Sequence, residues 1–127
     1  MKLRILNNSL RLRLSQTEVR ELATQQRVCA NTNFPGGGQL QYCLQLSDQL
    51  NDIQASFSDQ KILISLPANM ANDWANSDTI SLRAENTLAD GEALSLLIEK
   101  DFKCLTDRPH EDESDLFPHP KDGEIAC

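Results

Sequence analysis

The sequence predicts an α+β fold, mainly antiparallel β, built from two tandem ββαββ repeats with two short helices. Three observations carry that reading. Short segments alternate apolar and polar residues with the period of a half-buried strand. Turn and capping residues separate these segments at regular intervals. The whole pattern then recurs at a shift of 52 residues.

Repeat 1 spans residues 1–52. In Leu3-Arg4-Ile5 and Leu10-Arg11-Leu12-Arg13-Leu14 the aliphatics share one face and the charges the other. Asn7-Asn8 between them suits a tight hairpin turn, because Asn tolerates positive φ. Ser15-Gln16-Thr17-Glu18 forms a capping box that starts a short helix, with Val19, Leu22 and Ala23 as its apolar face. A strand around Val28 follows, then a turn at Pro35-Gly36-Gly37-Gly38. Leu40-Gln41-Tyr42-Cys43-Leu44-Gln45-Leu46 closes the unit as an alternating strand.

Repeat 2 spans residues 53–100. At the shift of 52, without a gap, Ala55 and Phe57 take the places of Leu3 and Ile5, and Asp59-Gln60 that of the Asn7-Asn8 turn. Ile62, Ile64 and Leu66 replace Leu10, Leu12 and Leu14, and Ala71, Trp74 and Ala75 replace Val19, Leu22 and Ala23. Ile80 stands for Val28, and Leu94, Leu96 and Ile98 for Tyr42, Leu44 and Leu46. Trp74 and Phe57 fall on apolar faces and are read as core. Any two strand–helix–strand units share part of this pattern, but common turn and helix positions in one register favour duplication. One unit of roughly 50 residues makes only a marginal core. Two can pack as a pseudo-dimer, in a compact barrel or a two-sheet core. The strand order stays open: the repeats interdigitate like a swapped dimer or pack side by side.

The outline Leu63-Ile64-Ser65-Leu66-Pro67, a short helix through Trp74, then Asp78-Thr79-Ile80-Ser81-Leu82 is similar to the swapped-hairpin unit of AbrB-type transition-state regulators. Those proteins are homodimers that bind DNA. The resemblance implies a DNA-binding regulator with its second copy fused in the same chain. The family's basic contact residues do not map cleanly here.

After residue 100 the periodicity stops. Residues 101–127 read as an acidic, proline-rich C-terminal arm laid over the surface of a single domain, residues 1–127. The segments Glu99-Lys100-Asp101-Phe102-x-Cys104-Leu105 and Glu111-Asp112-Glu113-Ser114-Asp115-x-Phe117-Pro118-x-Pro120 resemble the tail of a family of small uncharacterised bacterial proteins. Residues 8–15, Asn-Ser-Leu-Arg-Leu-Arg-Leu-Ser, resemble the same family, so the likeness spans nearly the whole chain. It implies fold boundaries and no particular activity. It also implies Asn between Pro118 and Pro120, where this chain has His119.

Apolar residues at 39% and charged residues at 24% exclude a disordered chain. No stretch approaches the roughly 18 apolar residues of a spanning helix, and Met1-Lys2-Leu3-Arg4 opens no apolar signal region. A cytoplasmic location away from the membrane is the expectation. The net charge is −7, which argues against nucleic acid as a partner, because phosphate neutralisation dominates that affinity. The charge is uneven: repeat 1 carries +2, repeat 2 −4 and the arm −5.

Three constellations are candidates for chemistry. Cys104, His110 and Asp112 in the arm can offer sulfur, nitrogen and oxygen to zinc or another transition metal, with Glu111, Asp115, His119 and Cys127 nearby in sequence. Their spacing matches no standard zinc pattern. Lys2, Arg4, Arg11 and Arg13 project from one face of the first hairpin and form a basic stripe for an anion or partner. Glu111, Asp112, Glu113 and Asp115 are an internal alternative for those charges. Cys29 and Cys43 lie on the polar sides of their strands and approach one another if the two strands pair. Their equivalents at the shift of 52 are Ser81 and Ser95. Without a CxxC pair, free thiols are the default reading, and bystanders a commoner one than a redox switch.

GxSxG, HExxH and the Walker lysine are missing, and the glycine run precedes a strand rather than a helix. The reading that follows is a small non-enzymatic binding or adaptor module with a protein partner. A metal-binding protein using Cys104 and His110, and a swapped-hairpin DNA-binding regulator, are the alternatives.

Overall fold

The computed structural model describes residues 1–102 and 114–118. Ten elements alternate as the sequence pattern demands. Repeat 1 contributes β1 (Lys2–Leu6), β2 (Ser9–Leu14), α1 (Gln16–Gln25), β3 (Arg27–Asn33) and β4 (Gln39–Ser47). Repeat 2 contributes β5 (Gln54–Ser58), β6 (Lys61–Pro67), α2 (Ala68–Ala75), β7 (Ser81–Thr87) and β8 (Ala93–Lys100).

Local chemistry sets most of the boundaries. Asn7 takes φ +48° between β1 and β2, and Asp59 and Gln60 take +51° and +61° between β5 and β6, so both hairpins turn in two residues. At α1 the capping box forms as expected. The Ser15 hydroxyl accepts from the Glu18 amide, and Glu18 accepts from the Ser15 amide. Gln26 ends the helix in the left-handed region. α2 lacks a side-chain cap and begins after Pro67. It is held instead by Trp74, which is 1% exposed and donates its indole N–H to the Ile80 carbonyl at 2.9 Å. The longer turns match as well. Phe34 N bonds Gly38 O at 2.7 Å, and Leu88 N bonds Glu92 O at 2.7 Å. Gly37 and Gly91 hold φ of +96° and +88° at equivalent places, a conformation that side chains resist.

The strands form two four-stranded sheets, ordered β1-β2-β8-β7 and β3-β4-β6-β5. Each sheet therefore takes one hairpin from each repeat, and the interdigitated arrangement is the correct one. Hairpin partners run antiparallel, and the repeats join through two parallel pairs, β2 with β8 and β4 with β6. The sheets do not close into a barrel, so the two-sheet core is the form realised. Leu12, Leu14, Leu96 and Ile98 from the first sheet meet Val28, Leu44, Ile62, Ile64 and Leu66 from the second. Val19 and Leu22 of α1 and Ala71 and Trp74 of α2 complete one cluster.

The register departs from the ungapped repeat. Ser9 pairs with Ser95 and Gln41 with Lys61 across the parallel joins. The shift is thus 52 for β1, β2 and α1 but 54 for β3 and β4. Two extra residues lie between α2 and β7, so Val28 corresponds to Leu82 and Leu44 to Ile98. A two-residue slip returns every side chain to the same face, which is why alternation alone reads equally well at both registers. Phe57 is a second correction: it points inward but is 69% exposed, because the sandwich is open at that end of β5.

The described part of the arm docks rather than trailing. Phe117 N bonds Asp101 O at 2.9 Å, Gln16 N bonds Asp115 O at 3.0 Å, and the Gln16 side chain donates to Leu116 O at 2.9 Å. Leu116 is buried, and the Phe117 ring lies 5.8 Å from Phe102.

Candidate functional site

Alternation along the first sheet sends Leu10, Leu12, Leu96 and Ile98 inward and the odd-numbered residues of β2 and β8 outward. The strand order then stacks the outward residues in rows. One row reads Lys2, Arg13, Glu99, Ser81 across β1, β2, β8 and β7. The next reads Arg4, Arg11, Leu97, Arg83, and the third Leu6, Ser9, Ser95, Glu85. The second and third rows line a groove of about 430 Å³. Its floor is the half-buried Leu97, and three guanidinium groups stand around it.

The four basic residues named from the sequence do share this face, but they are not equivalent. Arg11 and Arg13 are held by Glu99: the Nε of Arg11 lies 2.6 Å and that of Arg13 2.8 Å from the same carboxylate oxygen. The Arg11 Nη2 also contacts it, and the Ser81 hydroxyl approaches the other oxygen at 3.4 Å. Lys2 pairs with Asp101 at 2.9 Å. Glu99 is 9% exposed and Asp101 4%, so each carboxylate needs these cations to be buried at all. Among the described residues, Arg4 and Arg83 have no ion pair, and both are exposed. Among the described residues, this face carries five cationic side chains against Glu85, Glu99 and Asp101, on a protein of net charge −7.

Arg83 was not singled out from the sequence. It lies in repeat 2, and only the exchange of hairpins between sheets places β7 beside β8 in the same sheet as β1 and β2. Asp115, one of the internal alternatives for the stripe's charges, does not pair with it. The Asp115 carboxylate instead accepts from the Thr17 amide, 3.3 Å from each oxygen, at the start of α1. Hydrogen bonds from Thr17 and Ser15 hold its pKa below the usual carboxylate value.

Cys104, His110 and Asp112, with Glu111, Glu113, His119 and Cys127, lie outside the described residues. Among the described residues no group of three potential metal ligands occurs. Cys29 and Cys43 correct the free-thiol expectation. They sit directly opposite on β3 and β4, 4.1 Å between Cα atoms, and form a disulfide. Both lie on the outer face of the second sheet, yet Cys43 is fully buried.

A second concavity, about 380 Å³, opens where the two sheets part. Ile5 and Phe57, Leu10 and Ile62, and Leu40 and Leu94 line it as three repeat-related pairs. It is apolar and lies on the pseudo-two-fold axis of the duplication.

Fold and face together define a duplicated, hairpin-exchanged two-sheet protein with an arginine-rich groove on one outer face. The chain belongs to a family of unknown function, DUF7009, whose model matches residues 1–121. No curated protein and no solved structure matches it. Among the described residues no helix is long and apolar enough to cross a membrane.

Proposed function

We propose that this protein is a non-enzymatic binding module that takes a carboxylate-rich segment of a partner protein across the outer face of its first sheet. The observation that carries this is the row Arg4, Arg11, Leu97, Arg83. It sets two guanidinium groups without ion pairs among the described residues on either side of an apolar floor. A guanidinium offers a planar fork that matches a carboxylate with two parallel hydrogen bonds. The intervening Leu97 offers an apolar floor to the side-chain methylenes of a glutamate-rich chain. A nucleic-acid strand fits less well. Among the described residues no aromatic ring stands on this face for base stacking, and Glu85 and Glu99 oppose a continuous phosphate backbone.

The test is titration of the full chain with a hexaglutamate peptide at two salt concentrations. Binding weakens with salt, and the Arg4→Ala, Arg83→Ala double variant loses roughly tenfold or more in affinity. Lys61→Ala, on the outer face of the other sheet, changes nothing. Absence of binding, or equal loss with Lys61→Ala, contradicts the proposal. Tighter binding of duplex DNA than of the peptide favours the regulator reading instead.

A further inference from the structure

The pseudo-two-fold axis that places Arg83 and Leu97 in the first sheet places Cys29 and Cys43 at the same two positions in the second. The rows on either side carry Gln45, Ser65, Asn31, Gln41, Ser58 and the cation Lys61, with no carboxylate among them. The disulfide has one cationic neighbour on its own strand. Arg27 donates from Nε to the Cys29 sulfur at 3.2 Å and from Nη2 to the Cys43 sulfur at 3.6 Å. Cys29 is exposed, whereas Cys43 is 0% exposed.

We propose that Cys29, Cys43 and Arg27 form a reversible thiol–disulfide exchange site that reacts with small thiols of the glutathione class. The asymmetry in burial sets the direction of attack. A thiolate from solvent reaches the Cys29 sulfur and bonds to it. The Cys29–Cys43 bond breaks, and its electron pair stays on the Cys43 sulfur. Arg27 stabilises that leaving thiolate, since a nearby guanidinium favours the ionised form. A second thiolate attacks the sulfur of the small molecule in the mixed disulfide and releases Cys29. Two small thiols thereby become one small disulfide, and their two protons end on Cys29 and Cys43. The reverse sequence reoxidises the pair. Direct cross-strand opposition keeps the two sulfurs close after reduction, because the β3–β4 ladder on either side still holds the strands in register.

This site is independent of the arginine groove and tested apart from it. The folded full chain is incubated with glutathione at graded ratios of reduced to oxidised form. Free thiols are then alkylated and located by peptide mass. The expected result is a Cys29–Cys43 bond that opens and closes with the ratio in native buffer. Cys43→Ser traps a mixed disulfide on Cys29, and Cys29→Ser traps far less on Cys43. Arg27→Leu slows reduction roughly tenfold, and Arg27→Lys restores much of the rate. Reduction that proceeds only when urea unfolds the chain overturns the proposal, as does a mixed disulfide that falls mainly on Cys43. An Arg27→Leu protein that folds and reacts at the wild-type rate removes the role of Arg27. If Arg27→Leu does not fold, the two serine variants and Arg27→Lys still decide the matter.

Discussion

Glu99 decides how much of the basic hairpin is open to a partner. It sits between Arg11 and Arg13 and uses one oxygen for both. A carboxylate 9% exposed is costly without such partners. Glu99→Gln therefore removes the negative charge from the contacts with Arg11 and Arg13 and leaves both arginines less well held. The expected loss is about 1–3 kcal/mol, read by urea denaturation. The same change removes a negative charge beside the groove, so affinity for hexaglutamate rises while stability falls. A variant that is weaker in both respects shows that Glu99 orders the arginines for binding instead of competing for them. The basic stripe itself was legible because alternation places Lys2, Arg4, Arg11 and Arg13 on one face. Its partners were not, since Glu99 and Asp101 sit about ninety residues away in sequence. Nothing short of the β2–β8 pairing brings them together.

At the scale of elements, most boundaries were written in turn and cap residues: Asn7-Asn8, the Ser15 to Glu18 box, and the glycine turn before β4. The two errors have physical causes. The slip between 52 and 54 is invisible to a period-two pattern. The inward face of Phe57 says which way a side chain points and nothing about whether a neighbouring strand covers it. α1 yields a prediction about the arm. The Asp115 carboxylate meets the Thr17 amide at the helix N-terminus, where backbone N–H groups lack partners and the dipole favours negative charge. Its pKa in the folded chain lies below the ordinary 3.8. The contact is therefore fully present above 3.8 and is lost as pH falls below it through the folded value. Asp115→Asn lowers stability at neutral pH, and the difference from wild type shrinks as pH drops below 3.8. Equal stability of the two proteins at neutral pH shows that the carboxylate contributes nothing to docking residues 114–118.

For the whole molecule, duplication with hairpin exchange makes the halves interdependent. Residues 1–52 alone leave the outer edges of β2 and β4 unpaired, because β8 and β6 belong to the other half. Each half also supplies only part of the single core cluster. Fragments 1–52 and 53–127 made separately should show no cooperative unfolding as monomers, and an equimolar mixture should regain one transition by circular dichroism. A monomeric fragment that folds alone contradicts the exchanged topology. Exchange also explains why the groove was only half visible beforehand: Arg4 and Arg11 come from one repeat, Leu97 and Arg83 from the other.

The most direct test of the binding role is an amide chemical-shift map of the full chain titrated with hexaglutamate. The proposed groove predicts shifts confined to β1, β2, β8 and β7, strongest around Arg4, Arg11, Arg83 and Leu97. Shifts centred on β3, β4, β5 and β6, or none as the peptide approaches millimolar concentration, contradict it.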